Sequence, residues 1–302
     1  MTLPLHHLRL FHAVAERRGF SRAAEALHIS QPAVSKAVRE LEGQVGTPLL
    51  ERGPGGVRLT EAGAALAARA TELFAVERAA EEELRALRGL AGGSLRVGAS
   101  TTVATYYLPP LLAAFHASHP GVTLALTSAN TQAVLELLAR REIEVALVEG
   151  PVDDPGFAVT PWHVEPMLFV AAPTHRLARR RRAIAAAELS EEIFVVREPG
   201  SGTREVVERA LAQAGIVPRR TLEVGSTEAI KQVVAAGLGV AMVAEAAAAD
   251  QIALGRLTVL AVGGGGHLRV LSRVAVPGRR PSPPAAAFDR LLDAAADAVR
   301  AG

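Results

Sequence analysis

The feature that most constrains this chain is a pair of short amphipathic helices meeting at a tight turn near the amino terminus. Between Phe20 and Gly63 it reads F-S-R-A-A-E-A-L-H-I-S-Q-P-A-V-S-K-A-V-R-E-L-E, then V-G-T-P-L-L-E-R and V-R-L-T-E-A-G. Apolar spacing predicts a first helix over 4–17, closed by Gly19. A second is expected from Ser21, which can cap it, to His28. The third is expected over 31–45, capped by Ser30 with Pro32 in its first turn. Its inward stripe is Val34, Val38, Leu41 and Val45, which leaves Gln31, Ser35, Lys36 and Arg39 on a polar, basic outer face. That is the geometry by which a helix enters the major groove of DNA. Gly53-Pro54-Gly55-Gly56 then predicts a turn, with Val57-Arg58-Leu59 as the return arm of a β-wing.

Charge adds less than the isoelectric point suggests. That value is 9.5, yet the formal charge is only +2. Two lysines and two tyrosines leave little to titrate between neutrality and the arginines, so a small surplus of base moves the pI far. The local balance is more telling. Residues 1–60 hold Arg9, Arg17, Arg18, Arg22, Lys36, Arg39, Arg52 and Arg58 against Glu16, Glu25, Glu40, Glu42 and Glu51. A modest positive surplus in a small module suits phosphate contact. The chain has no cysteine, which removes disulfides, thiolate zinc sites and thiol catalysis. No apolar run reaches the roughly 18 residues of a membrane span, and no signal-peptide pattern opens the sequence. A cytoplasmic protein with no membrane partner is expected.

From Thr60 to Arg88 only Gly63 interrupts helical spacing. Leu66, Leu73, Ala80 and Leu87 recur every seven residues, with Ala62, Ala70 (or Arg69), Val76 and Leu84 between them. So narrow a stripe predicts a helix–helix seam between two copies, with a helix packed on its own domain as the alternative. After Gly89, Gly92 and Gly93, strands at 95–99, 122–127 and 143–148 alternate with helices near 103–118 and 131–141. A second set of strands is expected at 167–172, 193–196, 221–224 and 240–243, with helices near 203–214 and 227–237. A strand at 268–276 and a helix over 284–300 close the chain. Alternation of this kind gives an α/β fold. Two lobes joined by more than one crossing leave a cleft, with hinges expected near Pro161 and at Gly263–Gly266.

The helix-turn-helix block, the wing ending in Leu59-Thr60-Glu61-Ala62-Gly63, the long helix and the α/β remainder together resemble a LysR-type transcriptional regulator. The resemblance covers essentially the whole chain, and A-A-x-x-L-x-x-S-Q-P-A-V-S-x-x-V-x-x-L-E is a specific motif. It implies a winged helix-turn-helix over 1–60 and a dimerising linker helix over 61–92. Over 93–302 it implies a bilobed domain similar to periplasmic binding proteins, with lobe I at about 93–162 and 267–302 and lobe II at about 163–266. It further implies promoter DNA as partner, a homodimer or homotetramer, contact with RNA polymerase, and a small-molecule co-inducer with no bound cofactor. R-E-P-G-S-G-T-R and G-S-T-E-A-I-K-Q look like segments of relatives that control carbon-fixation and sulfur-assimilation operons. Two positions depart from the family: Leu50 stands where Phe is usual, and the G-P-G-G wing tip lacks a basic residue.

For DNA, Gln31, Pro32, Ser35, Lys36 and Arg39 are the candidate base-reading set: Gln suits adenine edges, Lys guanine, and Pro a thymine methyl. Ser21, Arg22, Ser30, Arg52, Arg58 and Thr60 are candidates for phosphate. For the effector, hydroxyls gather where strands hand over to helices: Ser100, Thr101 and Thr102; Ser128, Asn130 and Thr131; Ser201 and Thr203; Ser226 and Thr227. Backbone N–H groups at helix starts with such hydroxyls make an anion cradle, although helix capping alone accounts for many of them. Arg204 could add countercharge, whereas Glu149, if it faced the cleft, would disfavour a polyanion. A small anion such as a carboxylate, sulfate or phosphorylated metabolite is the expected ligand. His116 and His119 lack a third metal ligand, and the Arg179–Arg182 run reads as solvated surface. Trp162 and Phe169 read as lobe packing. A solute-binding protein fits only the latter two-thirds, and no catalytic motif supports an enzyme.

Overall fold

The computed structural model describes residues 3–53, 56–87, 92–180, 182–263 and 266–301. The chain divides into two compact units, Met1–Glu81 with Arg140–Glu142, and Glu82–Ala139 with Ile143–Gly302. The division falls inside the long helix, whereas the sequence reading put the domain boundaries at its two ends.

In the first unit α1 (Leu5–Arg17), α2 (Phe20–Leu27) and α3 (Gln31–Val45) pack around Leu8, Phe11, Val14, Ala24, Val34, Val38 and Leu41. A two-stranded wing, β1 (Leu50–Gly53) and β2 (Gly56–Leu59), follows. The Glu42 carboxylate accepts the backbone N–H of Leu49 at 2.8 Å and of Leu50 at 3.1 Å, which fixes where the wing leaves the helical core. Local details differ from expectation. Arg18, with φ of 51°, ends α1, and Gly19 is the N-cap of α2, so Ser21 lies inside the first turn and caps nothing. Ser30 holds the N-cap of α3 through its backbone carbonyl, not its side chain.

The long helix α4 (Glu61–Leu87) divides its apolar residues between two tasks. Ala70 and Phe74 are buried in the core of the first unit, with Ala62, Leu66 and Ala67 packed beside them. Leu73, Val76 and Leu84 remain exposed. The seven-residue series is therefore not one seam. Its amino-terminal members complete the local core, and only the later positions stay open. The side chain of Leu87 lies outside the described residues.

The second unit is built on one nine-stranded sheet. Its first part comprises β3 (Gly93–Ser100), a π-helical turn (Val103–Tyr107), α5 (Leu108–Ser118), β4 (Val122–Ala129), α6 (Thr131–Ala139) and β5 (Val145–Glu149). Then come β6 (Ala158–Ala171), α7 (Ala186–Ser190), β7 (Ile193–Val196), α8 (Gly202–Gln213), β8 (Arg220–Glu223), α9 (Thr227–Ala235), β9 (Val240–Ala244), α10 (Glu245–Ala253) and β10 (Thr258–Val259). β11 (His267–Ala275) and α11 (Pro283–Ala301) finish it. The strand order is β4-β3-β5-β11-β6-β9-β7-β8, with β10 beside β6. The expected strand at 167–172 is thus the far end of a 14-residue strand that starts in the first lobe. Antiparallel β6 and β11 are the two crossings, and their register shifts between Leu271 and Ser272, opposite the Pro161–His163 stretch. A bulge there bends the shared ribbon, so the expected hinge at Pro161 lies within continuous strands. At the other expected hinge, residues 264–265 are outside the described residues.

Lobe I closes over Leu95, Val97, Phe115, Trp162, Leu271, Phe288 and Leu292. Lobe II closes over Met167, Phe169, Phe194, Val207, Leu211 and Met242. Trp162 and Phe169 belong to these cores, and the Trp162 indole N–H donates to the Leu292 carbonyl at 3.0 Å. The lobes are in close backbone contact where α8 begins against the end of β5. A Cβ on Gly202 would lie 1.7 Å from the Glu149 carbonyl oxygen and 2.7 Å from Thr131 Oγ1. Gly202→Ala should therefore push the lobes apart and lower stability by about 1–3 kcal/mol, as overpacking does. The sole tryptophan, Trp162, makes urea unfolding by fluorescence the measurement; an unchanged midpoint would show that the contact is loose.

Candidate nucleic-acid interface and interlobe site

On α3 the exposed set is Gln31, Pro32, Lys36 and Arg39, and the Lys36 side chain is 74% exposed. Lys36 lies 3.8 Å from Glu40, and Arg39 Nε donates to the Ser35 carbonyl, loose local tethers that a phosphate or base could replace. Ser35 departs from the expected outer face: it is 7% exposed. Packing of α1 and α2 against α3 covers Ser35 and Ala37 as well as Val34, Val38 and Leu41, an arc wider than the apolar stripe. Ser21, Arg22, Ser30 and Arg58 are exposed, with Arg22 donating to the Arg18 carbonyl at 3.1 Å. The Thr60 hydroxyl is committed elsewhere: it donates to the Pro48 carbonyl and accepts the Gly63 N–H, capping α4 rather than facing phosphate. The side chain of Arg52, like Pro54 and Gly55 of the wing tip, lies outside the described residues.

Between the lobes the sequence candidates separate into three kinds. Ser100, Glu149, Thr131 and Thr203 are buried and bonded to the protein. Ser100 Oγ donates to Glu149 at 2.9 Å, Thr203 Oγ1 donates to the other Glu149 oxygen, and Thr131 Oγ1 donates to the Glu149 carbonyl at 3.0 Å. Glu149 therefore does not present a free carboxylate to the cleft. Ser128, Ser226 and Arg204 fall outside the cluster: Ser128 is exposed on edge strand β4, and Ser226 caps α9 by accepting the Ala229 N–H at 3.1 Å. Arg204 pairs with Glu208 and Glu223 on the flank of lobe II, so it does not supply the cleft.

The third kind is the most informative. Thr102 Oγ1 and Ser201 Oγ belong to residues 1% exposed, and among the described residues neither has a hydrogen-bond partner. Thr102 precedes the π-helical turn, and Ser201 is the N-cap of the 12-residue α8 without a side-chain capping bond. Two buried hydroxyls at two helix starts, one per lobe, lack the partner that buried polar groups almost always have.

The charges that organise this site were missed in the sequence. Arg197 follows β7, is 2% exposed, and reaches Thr101 Oγ1 at 2.8 Å in lobe I and Thr227 Oγ1 at 3.3 Å in lobe II. Its Nε and Nη2 donate to the two Glu198 oxygens at 2.7 and 2.8 Å, a bidentate pair. Asn130 Nδ2 reaches Glu198 from lobe I at 3.4 Å. Burial pushes the Glu198 carboxyl upward, but the Arg197 and backbone hydrogen bonds, the Arg197 charge and Asn130 outweigh it and hold it below the ordinary carboxylate range. Arg269 lies near the start of β11: Nε donates to Glu165 at 2.7 Å and Nη1 to Thr203 Oγ1 at 2.8 Å, with Glu149 at 3.6 Å. Its Nη2 is 2.6 Å from Glu165 but without hydrogen-bond alignment, so that contact is ionic. The Tyr107 hydroxyl donates to Glu165 at 2.6 Å; burial and that carboxylate raise its pKa far above the usual phenol value. Tyr106 meets Lys231 at 2.7 Å and donates to Glu228, and Lys231 is 2.8 Å from both Glu228 and the Ala247 carbonyl. The π-helical turn aims successive tyrosines at lobe II and at the crossing strands, a use this irregularity often has.

A signal for these residues was present. Arg269 interrupts an apolar strand, and Lys231 stands on the apolar face of α9 beside Ile230 and Val234. A charge in a core pattern announces a buried partner. Two other features resolve simply. In the Arg179–Arg182 run, Arg180 and Arg182 bind Glu188, Arg179 is exposed, and Arg181 lies outside the described residues. His119 stacks on Phe115, and among the described residues no cluster of three metal-ligating side chains occurs. No helix among them is long and apolar enough to cross a membrane.

Comparison with known proteins places both units. The profile of the bacterial regulatory helix-turn-helix protein, lysR family, matches residues 5–64, and that of the LysR substrate binding domain matches residues 88–297. A RuBisCO operon transcriptional regulator of Allochromatium vinosum is 38% identical over 288 residues, 95% of each chain. Full-length CbnR, solved in complex with its target DNA, is similar with a TM-score of 0.70 and 26% identity, over 96% of this chain and 98% of that one. The CcmR regulatory domain of Synechocystis PCC6803, solved with 2-PG, has a TM-score of 0.62 and 28% identity, over 67% of this chain and 97% of that one.

Arg269 is the sole cation within ion-pair reach of Glu149 and Glu165 among the described residues. Arg269→Met should therefore strand two buried carboxylates and destabilise the chain by about 3–5 kcal/mol, the scale for breaking a buried pair from one side. Urea unfolding followed at Trp162 measures this. A loss no larger than that of an exposed pair would show that water reaches the cluster.

Proposed function

Because the chain belongs to the LysR family of bacterial transcriptional regulators, we propose that it reads promoter DNA with α3 and senses a small anionic metabolite between the lobes of its second unit. Gln31, Pro32, Lys36 and Arg39 would meet base edges, with Ser21, Arg22, Ser30 and Arg58 on phosphates. Two copies would join along the open positions of α4, Leu73, Val76 and Leu84, which are exposed in the single chain. A symmetric pair of recognition helices suits paired half-sites on a duplex.

One observation carries the sensing role: the hydroxyls of Thr102 and Ser201, buried at a helix start in each lobe and without a partner among the described residues, Thr102 next in the chain to the Thr101 that Arg197 holds. Helix N-termini with hydroxyl donors and a guanidinium form an anion site. The 2-PG (2-phosphoglycolate) bound to the CcmR domain is a ligand of that chemistry, and the A. vinosum relative favours genes of carbon fixation as targets. The ligand would favour one arrangement of the lobes, altering the bend of bound DNA and the contacts open to RNA polymerase.

Two measurements test this. Lys36→Ala should weaken binding to the chain's own promoter by about 1–3 kcal/mol with relaxed specificity if Lys36 meets a base. An equal loss on unrelated DNA would reassign it to phosphate. Thr102→Val and Ser201→Ala should weaken 2-phosphoglycolate binding by calorimetry while leaving the urea midpoint nearly unchanged, since neither hydroxyl has a hydrogen-bond partner among the described residues. A footprint that no small phosphorylated or carboxylated metabolite alters would overturn the sensing role.

A further inference from the structure

We propose that Glu198 is an internal counter-anion that occupies Arg197 until an anionic effector takes its place. This rests on the sensing role proposed above and adds how the site admits its ligand. The interlobe cluster holds three cations, Arg197, Lys231 and Arg269, against four carboxylates, Glu149, Glu165, Glu198 and Glu228. Its formal charge is one negative before any ligand arrives. Adding an anion to a partly desolvated cluster of that sign is opposed by like charge. A carboxylate has to give way.

Geometry selects which one. Glu149 and Glu165 are each 2% exposed at the side chain and fixed by Arg269 together with Ser100, Thr203 or Tyr107. Glu228 already reaches water at 53% exposure, and its partner Lys231 keeps Tyr106 and the Ala247 carbonyl without it. Moving Glu228 would free no guanidinium. Glu198 differs on every count. Its side chain is 23% exposed, so it has a path to solvent, and it covers the bidentate edge of Arg197. That edge fits a planar carboxylate or a phosphate equally well. The other edge of the same guanidinium is held by Thr101 and Thr227, and Thr101 adjoins the unpartnered Thr102. An incoming carboxylate or phosphate ester thus finds its strongest donor already loaded with a tethered analogue of itself.

The exchange also breaks the Asn130–Glu198 contact, which ties the start of α6 in lobe I to lobe II. Ligand entry and a change in interlobe contacts are then one event, which supplies the differential affinity a conformational signal needs. Affinity is set as a difference between two anions competing for one arginine. Weak monoanions are excluded because they gain too little over Glu198.

Calorimetry on the full-length protein tests this, with 2-phosphoglycolate and orthophosphate as probes. Glu198→Gln keeps the shape and removes the charge, and Glu198→Ala removes both. Each should bind both probes at least about ten-fold more tightly than the natural chain, the scale of one unit charge lost at contact distance. The gain should persist at high ionic strength, because competition at contact is screened far less than long-range repulsion. Equal or weaker binding in the variants, with the natural chain still binding, overturns the exchange and leaves the anion site standing. A gain that vanishes in high salt assigns the effect to the general field and overturns it as well. Absence of binding in the natural chain and both variants overturns the exchange together with the sensing role. Should Glu198→Gln fail to reach the natural urea midpoint, Glu198→Asp, whose shorter arm withdraws the carboxylate from the fork, should also bind more tightly.

Discussion

Two carboxylates, Glu149 at the end of a lobe I strand and Glu165 in a crossing strand, are buried where the lobes meet, and Arg269 on the other crossing strand faces both. An isolated ion at such depth would neutralise or drag water in. Here each oxygen has an assigned donor: Ser100 and Thr203 for Glu149, Tyr107 and Arg269 for Glu165. The donors come from β3, α8, the π-helical turn and β11. Any large separation of the lobes at this point would expose an unsatisfied charge, so the cluster acts as the fixed pivot of the second unit. The bulge opposite Pro161–His163 bends the strands just beside it.

Around that pivot the polar groups divide by whether they are satisfied. In the Arg269 group every carboxylate oxygen has a donor and only Arg269 Nη2 is left with a purely ionic contact, and buried networks so nearly satisfied are rigid. The Arg197 side is incomplete, with two hydroxyls unpartnered among the described residues and one carboxylate near water. Rigidity on one side and exchangeable contacts on the other are what the proposed binding site requires, because motion needs contacts that can be replaced without stranding a charge. The Tyr106–Lys231–Glu228 contact is intermediate: it bridges the lobes, but Lys231 keeps a backbone acceptor whether or not Tyr106 stays.

The sequence made the scaffold legible and the charges of the site illegible, for a physical reason. Helix starts, apolar stripes and the wing turn are local patterns, and α3 at Gln31–Val45 follows directly from Pro32 and Val34-Val38-Leu41. Hydroxyls at strand-to-helix corners are local too, so Ser100, Thr102, Ser201 and Thr203 were visible as a group. Whether such a hydroxyl is bonded or free depends on residues far along the chain: Ser100 is spent on Glu149, and Ser226 on its own helix, whereas Ser201 is not. Arg197, just after β7, Arg269, within β11, and Lys231, on the apolar face of α9, are hard to read because periodicity treats a charge in an apolar pattern as a blemish, although such a charge is itself a sign of a buried partner. Ser35 failed in the opposite direction, since packing on two neighbouring helices buries a wider arc than apolar residues mark.

The long helix shows how one pattern can serve two partners without a change of period. Ala70 and Phe74 face the helix-turn-helix core, where Phe74 also receives Arg9 over its ring and Arg9 pairs with Glu77. One to three residues away, Leu73 and Val76 point to the opposite flank and stay exposed. A helix advancing about 100° per residue turns such neighbours onto different faces. The heptad spacing therefore holds two interleaved demands: attachment of the helix to its own DNA-reading module, and an apolar edge that its own fold leaves uncovered. A single exposed Leu needs no explanation, but Leu73, Val76 and Leu84, at spacings of three and eight, fall on one side of the helix, and an apolar stripe of that kind suits a matching surface.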